Sequence, residues 1–324
     1  MGGKWSLVQI QSPRPFFVLE ESEILRSRWS QFIVGNTLNI VGYVLYEMGG
    51  MLARIVPRSV GYLIAVAVAD LNFLLNPKSR KAVFLNLRHS LGDSVSEKEL
   101  RKTAKRTFRN FGLFIVDFLG FPKVSAKSII ATVDMNMVEV IKKEIWKGKG
   151  VILLGAHVGN WELGGAILTL SGFPLSVVAM PHTNKLIDRF FVRRRTAKGI
   201  AVVSRSHAAS ELLCSLRRGE CIAILGDRNV LGPGMKTEFF GSPALVPYGH
   251  VILSLRTGAP IVPGFVVRER GSRFKFYVED PIRPRPGDGA FEDLMHRCMS
   301  VMEKYVRRFP DQWFTFEPIW QEVE

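Results

Sequence analysis

The sequence predicts an α/β fold in which a central, mostly parallel β-sheet is covered by helices and preceded by an apolar helical hairpin. From Gly148 onward, short apolar and β-branched runs alternate with amphipathic segments, which is typical of a parallel sheet with connecting helices. Residues 32–75 form a long apolar region that is broken by polar side chains. The chain of 324 residues is long enough to bury a large core.

Residues 1–76 are predicted to be a lead-in and a membrane-associating hairpin, and residues 77–324 to be the main domain. The first residues lack the apolar core and cleavage site of a signal peptide. A transmembrane helix needs about 20 nearly uninterrupted apolar residues. Residues 32–75 do not supply them, because they contain Asn36, Asn39, Glu47 and Asp70. We therefore expect a hairpin in or against the membrane interface, with one true span as the alternative.

A strongly basic segment follows the apolar region. Residues 77–110 carry ten Lys and Arg against three acidic residues. Apolar residues at helical spacing beside these charges predict a helix pair with one packed face, and contact with lipid is an equally open interpretation. A further apolar helix is expected at 112–122.

The alternation of apolar and amphipathic segments gives the elements of the sheet region. Strands are predicted at 151–156, 174–180, 221–226, 261–267 and 273–279. Helices are predicted at 161–171, 184–197, 207–218 and 290–309. The segment at 231–247 contains glycines and prolines and is expected to be a packed, Ω-like loop.

The net charge of +15 indicates an anionic partner, which could be nucleic acid, an anionic membrane or a phosphate-bearing substrate. Hydrophobic residues make up 47% of the chain and include 22 Phe, which favours a membrane surface over nucleic acid. The three cysteines are too few for a disulfide framework and predict reduced thiols in the cytoplasm. The sequence has no zinc-ligand spacing, so neither a metal nor a cofactor is expected.

The segment GAHVGNWELGG at 155–165 carries the strongest candidates for chemistry. His157 follows a predicted strand and Glu162 enters the next helix, at the edge where open α/β sheets bind ligands. Glu162 is placed to fold back onto one ring nitrogen of His157, which would leave the other nitrogen as a proton acceptor. Asn160 is expected to cap the helix or to donate toward an oxyanion. A structural histidine with a capping carboxylate is the alternative.

No enzyme nucleophile accompanies this histidine in the sequence. A Gly-x-Ser-x-Gly motif is absent, and the cysteines lie in helix or strand contexts. The substrate is therefore expected to supply a hydroxyl group that attacks an activated acyl or phosphoryl group directly.

Three stretches of the sequence resemble a known family. His-x4-Glu in HVGNWE resembles the signature of the lysophospholipid and lipid A acyltransferase superfamily. The similarity extends toward the bacterial late lipid A acyltransferases and the phosphatidylinositol mannoside acyltransferases. It rests on KGKGVILLGAHVGNWELGG, LRRGECIAILGDRNVLGPGMKTEFFGSPALVPYGHVILSLRTGAPIVP and PDQWFTFEPIW, in this order. The resemblance implies a glycerolipid acyltransferase-like fold.

The resemblance also implies roles for the residues of the His-x4-Glu signature. His157 would be the general base for the acceptor hydroxyl, and Glu162 would orient it or stabilise its charge. The family keeps an arginine in the site, and RRRTAKGI lies at that place. Arg195 is the best positional match, with Arg193 and Arg194 as alternatives and a solvated helix face as the structural interpretation.

The stretch GDRN resembles an Asp-x-Asp or Asp-Arg-Asp pattern of the family and makes Asp227 and Arg228 candidate site residues. Asn229 stands where the pattern has its second carboxylate, which argues against a role that needs one there. A structural pair between Asp227 and Arg228 is the alternative. The family further implies that residues 231–247 form a wall of the acyl groove.

The function implied by the family is O-acyl transfer at the cytoplasmic face of the bacterial inner membrane. The donor would be acyl carrier protein (acyl-ACP) or acyl-CoA, and the acceptor a hydroxyl of a lipid A precursor or a phosphatidylinositol mannoside. The basic surface would meet the acidic donor, the acceptor phosphates and the anionic membrane. Two alternatives are a non-catalytic module that binds anionic lipid and a thioesterase-like hydrolase.

Overall fold

The computed structural model describes residues 40–123, 125, 127, 138–179, 182–229 and 234–320. The first four helices of the described residues are α1 at 40–55, α2 (Arg58–Leu75), α3 (Pro77–Leu91) and α4 (Glu97–Leu119). The side chains of Asn76 and Ser96 cap α3 and α4 by accepting from backbone N–H groups of the first turn. The two helices of the expected hairpin are present, whereas its residues 32–39 lie outside the described part.

The separate apolar helix expected at 112–122 is wrong, because α4 continues from its basic first half to Leu119. Gly112 lies where α2 packs on α4. A Cβ atom at Gly112 would come within 2.9 Å of the carbonyl oxygen of Ala65. The glycine therefore permits close packing of the two helices and does not end α4. Arg109 of α4 also pairs with Asp70 of α2 at 2.6 Å.

The central sheet confirms the predicted fold class. Its six strands lie in the order β3-β2-β4-β1-β7-β8, and all neighbours are parallel except β7 and β8. They are β1 (Val151–Gly155), β2 (Leu175–Val178), β3 (Ile200–Val203), β4 (Cys221–Leu225), β7 (Ile261–Arg268) and β8 (Phe274–Val278). Of these, β3 is an addition to the prediction.

Helices cover both faces of the sheet. They are α5 (Val138–Ile145), α6 (Trp161–Leu170), α7 (Lys185–Thr196), α8 (Ala208–Arg217), α9 (Gly249–Thr257) and α10 (Ala290–Arg308). The four predicted helices of this region are confirmed as α6, α7, α8 and α10, and α5 and α9 are additions. Ile152 and Leu154 of β1 point into one apolar cluster, whereas Val151 and Leu153 point into the other. The central strand β1 is thus held from both sides.

The loop expected over 231–247 is wrong in its described part. There, β5 (Met235–Phe239) and β6 (Ser242–Val246) form an antiparallel hairpin. Its turn, Phe240-Gly241, has positive φ at both residues, 53° and 73°. The usual hairpin signals are Asn-Gly or Asp-Gly, so a Phe-Gly turn gave the sequence no indication of paired strands.

Helices α1 and α2 expose most of their large apolar side chains. In α2, only Ala69 and Phe73 are buried. By length and composition, α2 is apolar enough to cross a membrane. We call the exposed apolar side chains of these two helices the apolar surface. They are Ile40, Val41, Val44, Leu45, Met48, Met51, Leu52, Ile55, Val60, Leu63, Ile64, Val68, Leu71, Leu74 and Leu75.

Candidate active site

The site begins in the turn between β1 and α6, which we call the catalytic turn (residues 156–160). Gly159 has φ +70°, and a Cβ atom there would lie 2.1 Å from the carbonyl oxygen of Val266. The backbone N–H of the next residue, Asn160, donates to that oxygen at 2.6 Å. Only glycine allows the turn to approach β7 this closely. The turn therefore presents His157 at the carboxyl end of the central strand.

Asp227 holds the ring of His157. Its Oδ1 lies 2.8 Å from Nδ1 of His157, and its Oδ2 accepts the backbone N–H of His157 at 3.0 Å. The two residues meet because β1 and β4 are parallel neighbours, with Gly155 in register with Leu225. With Nδ1 donating to the carboxylate, Nε2 is the ring nitrogen that can accept a proton.

Asp227 is fully buried and is nevertheless the charged partner of this pair. Burial raises the pKa of a carboxyl group. Here the His157 ring, the indole N–H of Trp313 and the His157 backbone N–H outweigh the burial and lower the pKa of Asp227 to about 2. The carboxylate therefore stays ionised at neutral pH and can stabilise positive charge on His157.

The expected hydrogen bond from Glu162 to the histidine ring is wrong, because the described contacts of the Glu162 carboxylate go to Arg195. Nε of Arg195 lies 3.0 and 3.1 Å from the two carboxylate oxygens, and Nη2 lies 2.6 Å from Oε1. Glu162 is 6% exposed. Burial lowers the pKa of Arg195, but the charge and hydrogen bonds of Glu162 outweigh it and raise that pKa. The pair joins α6 to α7.

The three consecutive arginines of α7 have three different surroundings. Arg193 contacts Glu47 of α1 and has a 62% exposed side chain. Arg194 donates to the carbonyl oxygen of Leu119 at 2.7 Å, and burial lowers its pKa to about 10. Only Arg195 reaches a residue of the His-x4-Glu signature. The positional match of Arg195 is thereby the best supported of the three.

Asn160 makes the cap that was expected of it. Its Oδ1 accepts the backbone N–H of Leu163 at 2.9 Å, and its Nδ2 lies 3.4 Å from Oδ2 of Asp117. Asp117, on α4, also accepts from Arg268 and Tyr62. Asn160 is 5% exposed, so its observed contacts hold the start of α6. Donation from Asn160 to a substrate oxygen stays a prediction.

Arg228 follows Asp227 but does not pair with it. The contacts of the Asp227 carboxylate are with His157 and Trp313, which rules out the structural pair that the sequence left open. Nε of Arg228 is buried and has no hydrogen-bond partner. The Arg228 side chain is half-buried. Within the described ranges, it has no ion-pair partner.

The sequence gave Trp313 and Gln312 no role in the site, but both touch it. Nε1 of Trp313 donates to Oδ2 of Asp227 at 2.9 Å. The carbonyl oxygen of Gln312 accepts the N–H of Gly159 at 2.9 Å. Both residues lie in PDQWFTFEPIW, one of the three stretches that carry the family resemblance, and that was the available signal.

An aromatic wall lies next to His157. The ring centroid of Trp161 is 5.1 Å from that of His157 and 4.5 Å from that of Phe114. Phe314 lies 5.8 Å from Phe114, and Phe111 lies 5.5 Å from Phe314. Trp161 and Phe111 are half-buried. Partly open aromatic rings beside His157 suit a substrate with an apolar chain.

The α/β sheet thus carries a histidine–aspartate pair at the carboxyl ends of two parallel strands, β1 and β4. A family model described as bacterial lipid A biosynthesis acyltransferase matches residues 35–322. The chain belongs to this family, which confirms the resemblance stated above.

Two relatives illustrate the range of the family. The chain is 25% identical over 177 residues to a phosphatidylinositol mannoside acyltransferase of Mycobacterium tuberculosis (strain CDC 1551 / Oshkosh). That match spans 53% of this chain and only 55% of the length of the relative. The chain is 23% identical over 223 residues to a lipid A biosynthesis palmitoleoyltransferase of Escherichia coli (strain K12), covering 67% and 71% of the two chains.

A solved structure is also similar in part. It is the 1-acyl-sn-glycerophosphate acyltransferase PlsC of Thermotoga maritima, with 13% identity and a TM-score of 0.35. The alignment covers 79% of this chain and 99% of the PlsC chain.

Proposed function

We propose that this protein is a membrane-associated O-acyltransferase that moves a fatty acyl chain from acyl-ACP or acyl-CoA to a hydroxyl group of a glycolipid. The observation that carries the proposal is the contact between His157 and the buried, ionised Asp227 in a chain of this family. The two candidate acceptors, a lipid A precursor and a phosphatidylinositol mannoside, come from the names of the two groups of relatives.

In the proposed reaction, Nε2 of His157 removes the proton of the acceptor hydroxyl while its oxygen attacks the thioester carbonyl carbon of the donor. Asp227 accepts the hydrogen bond from Nδ1 and stabilises the imidazolium that forms. The carbon–sulfur bond of the tetrahedral intermediate then breaks. The proton on Nε2 passes to the departing sulfur, so that an ester and a free thiol leave and the histidine returns to its starting state.

One cation, Arg228, is proposed to act on the anionic parts of the substrates, and Arg195 is assigned a different role. Arg228 lies next in the chain to Asp227, and its buried Nε has no acceptor, so it is suited to a carbonyl oxygen or a phosphate. The carboxylate of Glu162 holds Arg195 in place and already occupies one side of its guanidinium group. We assign Arg228 to direct substrate contact and the pair of Arg195 and Glu162 to holding α7 against α6.

A covalent acyl-enzyme is not part of this mechanism. Burial raises the pKa of Cys221 and of Cys298 to about 12, which leaves both thiols protonated. Cys221 is also the first residue of β4, at the edge of the sheet opposite to His157. Cys214 is exposed and lies in the second half of α8, which runs toward that opposite edge. None of the three cysteines is therefore placed as a nucleophile for His157.

The membrane part of the proposal rests on the apolar surface of α1 and α2. Burying a leucine side chain contributes about 1.5–3 kcal/mol, so a surface of this extent favours insertion into the hydrocarbon boundary. Basic side chains border it: Lys105 and Arg109 of α4 pair with Asp70 of α2, and Arg101 lies 6.0 Å from the ring of Phe73. These charges suit anionic headgroups.

The test uses the full-length protein in mixed micelles with a labelled acyl donor and each candidate acceptor in turn. His157→Ala is compared with His296→Ala, which changes an exposed histidine on α10. We expect His157→Ala to lower kcat by about 10²–10⁴-fold and His296→Ala to leave it unchanged. Intact-mass analysis after incubation with donor alone should show no acyl adduct.

Each contrary result removes a defined part of the proposal. Equal activity of the two variants would remove His157 from the mechanism. An adduct of one acyl chain per protein would replace direct attack by a covalent intermediate. Release of free fatty acid at the same rate with and without acceptor would identify a hydrolase, and lipid binding without turnover would identify a non-catalytic module.

A further inference from the structure

Trp313 lies in a short segment that closes over the catalytic turn. It follows α10 and the 3-10 turn Pro310–Gln312, and its side chain is 2% exposed. Val158 and Trp313 form an antiparallel bridge, and the N–H of Phe314 donates to the carbonyl oxygen of His157 at 2.8 Å. The segment is thus fixed to the backbone of the turn that carries the base.

The side chain of Gln312 fixes the same segment to the sheet. Its Oε1 accepts the N–H of Arg268 at 3.0 Å, and its Nε2 donates to the carbonyl oxygen of Arg268 at 2.8 Å. Arg268 is the last residue of β7, the strand beside β1. These two hydrogen bonds from one amide fix Gln312, and with it the neighbouring Trp313, to the carboxyl end of β7.

The indole of Trp313 reaches the acidic member of the pair. Its Nε1 donates to Oδ2 of Asp227 at 2.9 Å, and the same oxygen accepts the backbone N–H of His157 at 3.0 Å. Two donors from different elements therefore fix Oδ2, which leaves Oδ1 facing Nδ1 of His157. Rotation of the carboxylate would break both bonds in a fully buried place, where a lost partner is costly.

We propose that Trp313 is a positioning residue that locks the carboxylate of Asp227 in the orientation that holds His157 in its reactive tautomer. The inference rests on the proposed function of His157 as a base. It assigns to the indole N–H a part in the reaction that is separate from its part in the core, where the ring also packs against Phe240.

A matched control lies within the same aromatic group. Trp320 is half-buried, and its ring centroid lies 6.4 Å from that of Trp313 and 5.7 Å from that of Phe239. Its Nε1 donates to the carbonyl oxygen of Phe239 at 3.2 Å and makes no contact with Asp227. Replacing Trp320 by Phe therefore removes an indole N–H from this cluster without touching the pair.

The experiment compares Trp313→Phe with Trp320→Phe, and adds a protein in which 3-benzothienylalanine replaces Trp313. This analogue keeps the bicyclic shape and has sulfur in place of the N–H. Losing a hydrogen bond to a charged group lowers a rate constant that depends on it by about tenfold or more. We expect kcat to fall about tenfold in both Trp313 proteins, with KM within about twofold and the thermal midpoint of the analogue unchanged.

The pH profile separates positioning from packing. Loss of a donor to Oδ2 raises the pKa of Asp227 in the folded protein, so the acid limb of the unfolding free energy against pH should move to higher pH by about half a unit in both Trp313 proteins. The Trp320 variant should keep the wild-type limb. If the analogue has wild-type kcat and the wild-type acid limb, Trp313 acts through packing alone and the inference is wrong.

The control with His157→Ala distinguishes this failure from failure of the proposed function. If His157→Ala is inactive while the analogue matches wild type, only the role of Trp313 is lost. If His157→Ala retains activity, the proposed function itself fails.

Discussion

The hydroxyl group of Tyr62 donates a 2.6 Å hydrogen bond to Oδ1 of Asp117. Tyr62 lies on α2, the helix with the exposed apolar side chains, and Asp117 is buried on α4. Oδ2 of the same carboxylate accepts from Arg268 and lies 3.4 Å from Nδ2 of Asn160. One buried carboxylate therefore connects the apolar helix to Asn160, which caps α6 close to His157, the proposed base.

Replacing Tyr62 by Phe should destabilise the protein, because it removes a donor from a buried carboxylate. The expected loss is about 1–3 kcal/mol in the free energy of unfolding, measured by denaturant titration of the protein in micelles. Tyr46→Phe is the control, since its ring packs on Phe190 and Phe191 with centroids 5.5 Å away. Equal stability of the two variants would show that the Tyr62 hydroxyl is dispensable.

Replacing Asp227 by Asn should keep the shape of the site and remove its charge. The amide cannot hold Nδ1 of His157 as a donor in the same way, so we expect kcat to fall about 10³–10⁴-fold. Asp293→Asn, on the surface of α10, should have wild-type kcat. Initial rates with saturating donor and acceptor give the comparison, and a loss below about tenfold would argue against the proposed pair.

Asp227 also predicts a specific dependence of stability on pH. Its pKa of about 2 in the folded protein lies below the value of about 3.9 expected for an unfolded chain. The ionised carboxylate therefore stabilises the folded state above about pH 4, and this contribution is lost as the pH falls toward 2. Asp227→Asn should flatten this part of the unfolding free energy against pH; an unchanged slope would contradict the lowered pKa.

Replacing Arg195 by Ala should leave Glu162 as a buried charge without its main partner. Such a change lowers the free energy of unfolding by about 3–5 kcal/mol. Arg193→Ala should lower it by about 0.5 kcal/mol or less, because the Arg193 side chain is 62% exposed. Glu162→Gln in the Arg195→Ala background should recover part of the loss, since it removes the unpaired charge. Denaturant midpoints of the four proteins test this order, and a deficit shared by both arginine variants would refute it.

Replacing Leu63, Leu71 and Leu75 by Gln should weaken membrane binding. Each is more than half exposed on α2, and together they represent about 4–9 kcal/mol of transfer free energy. The matched control changes Leu85, Trp146 and Leu245 to Gln, which are exposed apolar residues outside the apolar surface.

Flotation with anionic vesicles gives the bound fraction. We expect the α2 variant to stay at the bottom of the gradient and the control to float with wild type. High salt should reduce the bound fraction only in part, because salt screens charge but not apolar burial. Complete release of wild type by salt alone would show that binding is electrostatic.

The sequence was sufficient to place His157 and Asp227 at strand ends, since each follows a short apolar run that local pattern identifies. It was insufficient to join them, because the neighbour of β1 in the sheet is decided by tertiary packing and not by local pattern. A hydrogen bond from Glu162 to the ring of His157 was therefore predicted, because the two residues are close in sequence. In the structure, the strand order β4-β1 brings Asp227 to that ring instead.

Trp313 shows a second limit of local reasoning. Its contact with Asp227 spans 86 positions of the chain, and no periodic pattern records a single hydrogen bond over such a separation. The hairpin β5–β6 was missed for a different reason, because Phe240 adopts a positive φ that bulky residues rarely take.

The backbone hydrogen bonds between residues 312–314 and the catalytic turn also set an order of events during synthesis. The apolar helix α2 leaves the ribosome about 240 residues before Trp313, which at 5–20 residues per second is roughly 12 to 50 seconds earlier. Once Asp227 has been made, it lacks its indole donor until Trp313 follows, and the catalytic turn lacks its backbone hydrogen bonds to residues 312–314 for the same time. On the roles proposed for α2 and Trp313, a nascent chain can therefore settle on the bilayer before its site is fully assembled.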